Sequence, residues 1–271
     1  MKAFFSALVL AALAFSPLAT AAPAALVARG RVSYLRPTSG SATSGNAGNV
    51  DGGSVANLAT GESLVFNIGK NRAGDGGRSI TGDAIGGNGF FGGSATSGNS
   101  GNAYGGDVVN AATGESAVIN AGSNRAGNGG TSRSGDAIGG NSVTKRSSKV
   151  DALRYRYKSF VPPPPTSGSA TSGSSGDANG GTVANIATGE STIRNNGLNI
   201  AGDGGRSISG DAIGGNGVGG GSAKSGNAGN ANGGDVINEA TGESRIINNG
   251  SNRAGDGGVS RSGDAIGGNS S

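Results

Sequence analysis

The sequence predicts an all-β, glycine-rich repeat fold, either a β-solenoid or a stack of short hairpins, on three observations. One unit recurs four times at fixed spacing. Inside each unit, constant and variable positions alternate with period two, the signature of a strand with one constrained face. Glycine is abundant and large apolar side chains are few, so a conventional core is out of reach. The same composition also fits a largely disordered low-complexity chain. In the ordered reading the linker and the termini are the disordered parts.

The repeat is read from two landmarks. "GDAI" begins at Gly82, Gly135, Gly210 and Gly263, and "ATGES" at Ala59, Ala112, Ala187 and Ala240; both step by 53, 75 and 53 residues. The units are therefore 38–90, 91–143, 166–218 and 219–271, with no insertion or deletion, arranged as two pairs (38–143 and 166–271). The 22-residue linker 144–165 between the pairs ends in four prolines, which favour an extended, stiff spacer.

The strand reading rests on comparing the units with one another. Val55, Asn57 and Ala59 are the same in all four, while the positions between them vary, as Ala56, Val109, Ala184 and Ile237 do. Past the "TGE" turn, position 65 is always Val or Ile and Asn67 is invariant among the units. A constrained face containing Asn requires a hydrogen-bond partner for each amide, and stacked copies of one strand supply it as a ladder. The octet "TGDAIGGN" at 81–88, with Asp83 in it, reads as the corner closing each unit: Gly82 and its neighbours make the bend, and Ile85, Ile138, Ile213 and Ile266 serve as small anchors. Glycine is expected to supply positive φ at every corner.

Composition narrows the chemistry. With no Cys and no His, disulfides, thiol chemistry, imidazole acid–base catalysis and most zinc sites are removed together. The net charge of +4 belongs to the connecting segments, because 38–143 holds 5 basic against 7 acidic residues and 166–271 holds 6 against 9. Nucleic acid is thus not an expected partner of the repeats. Asp75 and Asp83 lie in glycine-rich turns that could hold calcium, but the G-G-x-G-x-D pattern is not matched and the first Asp is Asn128 in the second unit. No lysine-bearing phosphate loop occurs. Glu62, Glu115, Glu190 and Glu243 at the turn look like surface carboxylates. No catalytic residue, metal site or cofactor is expected, and the chain reads as a non-enzyme.

The N-terminus reads as a secretory signal, with Lys2, an apolar run and "Ala19-Thr20-Ala21", so cleavage is expected after Ala21, followed by a basic lead at 22–37. No membrane anchorage is expected once that segment is removed. Lys145-Arg146 is a dibasic pair placed so that cutting there leaves two products, 22–146 and 147–271, of 125 residues each. A signal, near-identical units and a Lys-Arg between duplicated blocks resemble the kexin-processed, repeat-containing secreted proteins of fungi. The resemblance is one of layout over the whole chain, and it implies export and processing but no fold. One dibasic site and two long products depart from the layout of pheromone-like precursors.

The functional expectation is a secreted, extracellular or wall-associated structural or surface protein, with itself or an extracellular polysaccharide or surface as partner. A secreted interaction protein that binds a host or surface partner through the variable outward positions is the alternative. An ice- or carbohydrate-surface binder comes third.

Overall fold

The computed structural model describes residues 39–143 and 165–270. The expected signal segment, the basic lead and the expected processing pair Lys145-Arg146 lie outside the described residues. Among the described residues every regular element is a strand. The first unit forms β1 (Ala42–Thr43), β2 (Val55–Thr60), β3 (Leu64–Asn67), β4 (Asn71–Arg72), β5 (Arg78–Ile80) and β6 (Ala84–Ile85). The other units repeat this set, the second from β7 (Ala95–Thr96) to β12 (Ala137–Ile138), the third from β13 (Ala170–Thr171) to β18 (Ala212–Ile213), and the fourth from β19 (Ala223–Lys224) to β24 (Ala265–Ile266).

Each set of equivalent strands makes one four-stranded sheet, giving six sheets in which every pairing is parallel. Register follows the repeat without slippage: Val55 pairs with Val108, Val108 with Val183, and Val183 with Val236. One unit is therefore one coil, and four coils stack in a solenoid-like β fold. Among the described residues no stacked hairpins occur, since hairpins are antiparallel and every pairing is parallel. The third coil lies directly on the second along all six sheets, so the two pairs form one uninterrupted stack despite the longer step of 75 residues between them.

Each coil is flattened. An outgoing arm (about 39–60) turns at "TGE", and a returning arm (about 64–89) runs back against it. Gly74 N–H donates to Gly53 C=O at 2.8 Å, Gly77 to Val50 at 3.0 Å and Gly87 to Gly40 at 2.9 Å, so partners on one arm move backward as those on the other move forward. The turn needs glycine: Gly61, Gly114, Gly189 and Gly242 have φ of 68°, 80°, 81° and 77°, in the left-handed region that a Cβ disfavours.

Elsewhere the glycines answer a different need. The two arms touch backbone to backbone, and the contact climbs the stack as a staircase: Gly106 N–H donates to Gly74 C=O, Gly127 to Gly106, Gly181 to Gly127 and Gly202 to Gly181, all at 2.8 Å. A Cβ on Gly127 would overlap the Gly74 carbonyl. The expectation of positive φ at every corner is thus corrected. Among the described residues it holds at the "TGE" turn and at Gly217, Gly219 and Gly220, and close approach explains Gly74, Gly106, Gly127 and their equivalents.

The apolar interior is correspondingly small. At the turn end Ala59, Ala112 and Ala187 pack with Val118 and Ile193. Val108 and Val183 pack with Ala73 and Ala126, and at the far end Ala84, Ala95, Ala137, Ala170 and Ala212 pack together. Each buried Val or Ile contributes about 1.5–3 kcal/mol, so much of the cohesion falls to hydrogen bonds between coils.

Candidate functional surfaces

The predicted inward face is the observed one. Along β8 (Val108–Gly114) and β14 (Val183–Gly189), Val, Asn and Ala point inward in alternation, and Val108, Asn110, Ala112, Val183, Asn185 and Ala187 are 0% exposed. Val55 and Asn57 in the first coil are only half-buried, because nothing described lies below them, while Ala59 is still buried.

The asparagine ladder expected from Asn57 exists. Asn57 Nδ2 donates to Asn110 Oδ1 at 2.7 Å, Asn110 to Asn185 at 2.8 Å, and Asn185 to Asn238 at 2.7 Å. The column begun by Asn67 runs beside it: Asn120 donates to Asn195 and Asn195 to Asn248, each at 2.9 Å. Rungs tie the two columns, as Asn67 Nδ2 donates to Asn57 Oδ1 at 2.6 Å and Asn195 to Asn185 at 2.9 Å. A third column was missed at the level of sequence. Asn71 donates to Asn124, Asn124 to Asn199, and Asn199 to Asn252 at 2.7–2.8 Å. Its signal was the same, one residue type in all four units, as it was for Ser79, Ser132, Ser207 and Ser260. Ser132 Oγ donates to Gly101 C=O across the coil and accepts from Gly176 N–H of the next coil, both at 2.8 Å.

The octet is corrected in two respects. It is a straight stretch of the returning arm containing β6, not a bend, and Gly82 has no positive φ. Ile85 points outward at 65% exposure, and Ala84, at 2%, is the residue that anchors it. Two adjacent residues on a strand face opposite ways, and the apolar cluster here has room only for methyl groups.

Asp83 and Asp75 are exposed and serve the stack. Asp83 Oδ1 accepts from Asp136 N–H at 2.8 Å, Asp136 Oδ1 from Asp211 N–H at 2.9 Å, and Asp211 Oδ1 from Asp264 N–H at 2.8 Å. Asp75 Oδ1 accepts from Asn128 N–H at 2.8 Å, and its other oxygen lies 3.8 Å from Arg72. Among the described residues no group of three or more His, Cys, Asp or Glu is placed to hold a metal. Glu62, Glu115 and Glu243 are exposed at the turn.

The outer faces carry the variety. Leu58, Leu64, Phe66 and Ile68 of the first coil are exposed, where the fourth coil has Glu239 and Arg245 in register with Leu58 and Leu64. A shallow groove on the returning arm is lined by alternating charge, with Arg133, Arg206 and Arg261 beside Asp136 and Asp211. Tyr104 donates to Asp177 Oδ2 at 3.1 Å. Burial first, then that hydrogen bond and the charges of Asp177 and Asp51, hold its hydroxyl above the usual tyrosine pKa. No helix among the described residues is long and apolar enough to cross a membrane.

The surfaces this arrangement offers are thus variable outer faces on an invariant frame, plus two ends, below the first coil and above the fourth, that no described residue covers. Compared with known proteins, the chain matches no family model, no curated protein and no solved structure.

Proposed function

We propose that this chain is a secreted, non-enzymatic structural or surface protein, associated with the cell wall and able to self-associate, processed after Ala21 and after Arg146 into two products of 125 residues. The observation that carries the reading is that the interior is constant from coil to coil while the outer positions vary. Hydrogen bonding is spent on coil-to-coil cohesion, through three internal asparagine columns and outward Asp and Asn side chains that cap the next coil's N–H groups. Such a chain acts through what a repeated surface presents.

The test is fractionation of secreted material into medium and wall extract, with intact mass and N-terminal sequencing. Chains beginning at Ala22 and Ser147, enriched in the wall extract, are expected. Material found only free in the medium would refute wall association, and one uncut chain would refute processing. Because the third coil pairs with the second along six sheets, the two cut products remain together in native buffer and separate only in denaturant.

A second reading has one observation in its favour. The exposed Leu64, Phe66 and Ile68 lie together on the outer face of the first coil's returning arm, an apolar patch suited to a partner protein. An interaction protein of this kind is recovered as a free soluble species, and Leu64→Asp with Phe66→Asp abolishes partner capture without changing the melting temperature.

A further inference from the structure

We infer that chains stack head to tail, the fourth coil of one copy taking the first coil of the next, to build a single-file polar filament. This deepens the self-association in the reading above and rests on it for its biological setting.

The first argument is continuity. Every junction between coils uses the same inward columns, and the residues that no described residue covers at the two ends belong to those columns. Val236, Asn238 and Ala240 line the upper end, and Val55, Asn57 and Ala59 the lower. In the Val-Asn-Ala columns a fourth-on-first junction therefore repeats the second-on-third junction that the structure contains. Stacked like charges are no obstacle, since Asp136 already sits over Asp83 and Arg125 pairs with Arg72 within the chain.

Polarity supplies the second. The bonds that internal asparagines make between coils run upward, from Asn57 to Asn110 to Asn185 to Asn238 and from Asn199 to Asn252, so the upper end presents the Asn238 and Asn252 Nδ2 donors outward. The outward carboxylates run the opposite way, each accepting from the coil above, so the upper end also presents Asp256 and Asp264 Oδ1 as acceptors. The lower end presents the matching groups, Asn71 Oδ1 and the N–H groups of Asp75 and Asp83. Fourth-on-fourth contact would set donors against donors and run the strands antiparallel. The interface is thus heterologous and does not close on itself, which generates an open filament.

The glycines make the idea testable without disturbing the monomer. Within the stack, a Cβ on Gly204 would strike Ala231 C=O and one on Gly214 would strike Gly221 C=O of the coil above. Their fourth-coil equivalents are unobstructed: a Cβ on Gly257 has its nearest neighbour at 4.0 Å and one on Gly267 at 3.8 Å. Below, Gly98 and Gly101 abut the Gly45 and Gly48 backbone, whereas a Cβ on Gly45 or Gly48 meets no described residue within 4 Å. Alanine at these end positions fits a single chain and collides with a second copy.

The experiment is sedimentation velocity with electron microscopy on purified full-length wild type, on Gly45→Ala/Gly48→Ala, on Gly257→Ala/Gly267→Ala, and on the equimolar mixture of the two variants. Wild type is expected to grow with concentration into unbranched filaments whose diffraction shows the spacing of about 4.8 Å along the axis typical of stacked strands. Each variant alone stays at one chain mass with the wild-type circular dichroism spectrum and melting temperature. The mixture forms dimers of twice that mass, because each variant keeps the end the other lacks. A wild type that remains monomeric when concentrated, variants that assemble as it does, or a mixture without dimers overturns the proposal. Should a variant fold poorly, hydrogen exchange on wild type decides the matter. The Val236 and Ala265 amides, whose third-coil equivalents donate to the coil above, slow by at least tenfold on concentration if ends stack and do not change if they remain open. Absence from wall extracts would refute the surface role and leave stacking intact, whereas failure to stack in vitro leaves the wall result standing.

Discussion

Replacing Asn185 by Ala removes the centre of the asparagine network. Its side chain is 0% exposed; its Nδ2 donates to Asn238 at 2.7 Å, and its Oδ1 accepts from Asn110 at 2.8 Å and from Asn195 at 2.9 Å. After substitution Asn195 Nδ2 still donates to Asn248, and Asn238 Oδ1 still accepts from Asn248. Asn110 Nδ2, itself fully buried, has lost its acceptor. An orphaned buried donor costs about 1–3 kcal/mol, and the three lost bonds about 0.5–1.5 kcal/mol each, with partial overlap between the two. The expected destabilisation is about 3–5 kcal/mol. Asn57→Ala is the control. It is the same substitution in the same column, but Asn57 is half-buried in the end coil and its partner Asn67 reaches water, so the cost is about 1 kcal/mol. Urea unfolding followed by far-ultraviolet circular dichroism reads both. Equal midpoints for the two variants would refute a cooperative internal ladder and leave the asparagines as interchangeable polar residues.

Gly127→Ala forces a methyl into the Gly74 carbonyl and is expected to cost about 3 kcal/mol, whereas Gly267→Ala, with 3.8 Å of clearance, leaves the melting temperature unchanged. Equal effects would refute the backbone-to-backbone packing of the arms. Gly189→Ala places a Cβ at φ 81° and is expected to cost about 1–2 kcal/mol, with Gly189→Asn milder, both read by thermal denaturation. Titration of absorbance near the tyrosinate band, as a difference against Tyr104→Phe, should show Tyr104 ionising later than an ordinary tyrosine, and Asp177→Asn should bring it back part of the way. Since the folded-state pKa is the higher one, this contribution to stability is complete below the ordinary tyrosine pKa and is lost as pH rises through the folded value.

Much of this fold was legible before any coordinates. Four units compared with one another reveal which positions are held constant, and constancy at every second residue marks a strand face. The equal step of "GDAI" and "ATGES" sets one coil per unit, and Asn57 on a constrained face demands a ladder because a buried amide must be paired. The prediction for Asn185 could have been framed on those grounds, although its magnitude could not.

What the sequence by itself determined is the period, the number of coils, the alternation of inward and outward positions around Val55, Asn57 and Ala59, and the turn at "TGE". Only the tertiary structure decided that the octet is straight, that Ala84 rather than Ile85 faces inward, and that the third coil sits directly on the second. The physical reason is that a repeat reports how strongly a position is constrained but not by which neighbour. A glycine needed for left-handed φ, as at Gly61, and a glycine needed because another backbone lies against it, as at Gly127, are the same letter in the chain. They differ only in what stands opposite, and that is set by the folding of one arm of each coil back on the other.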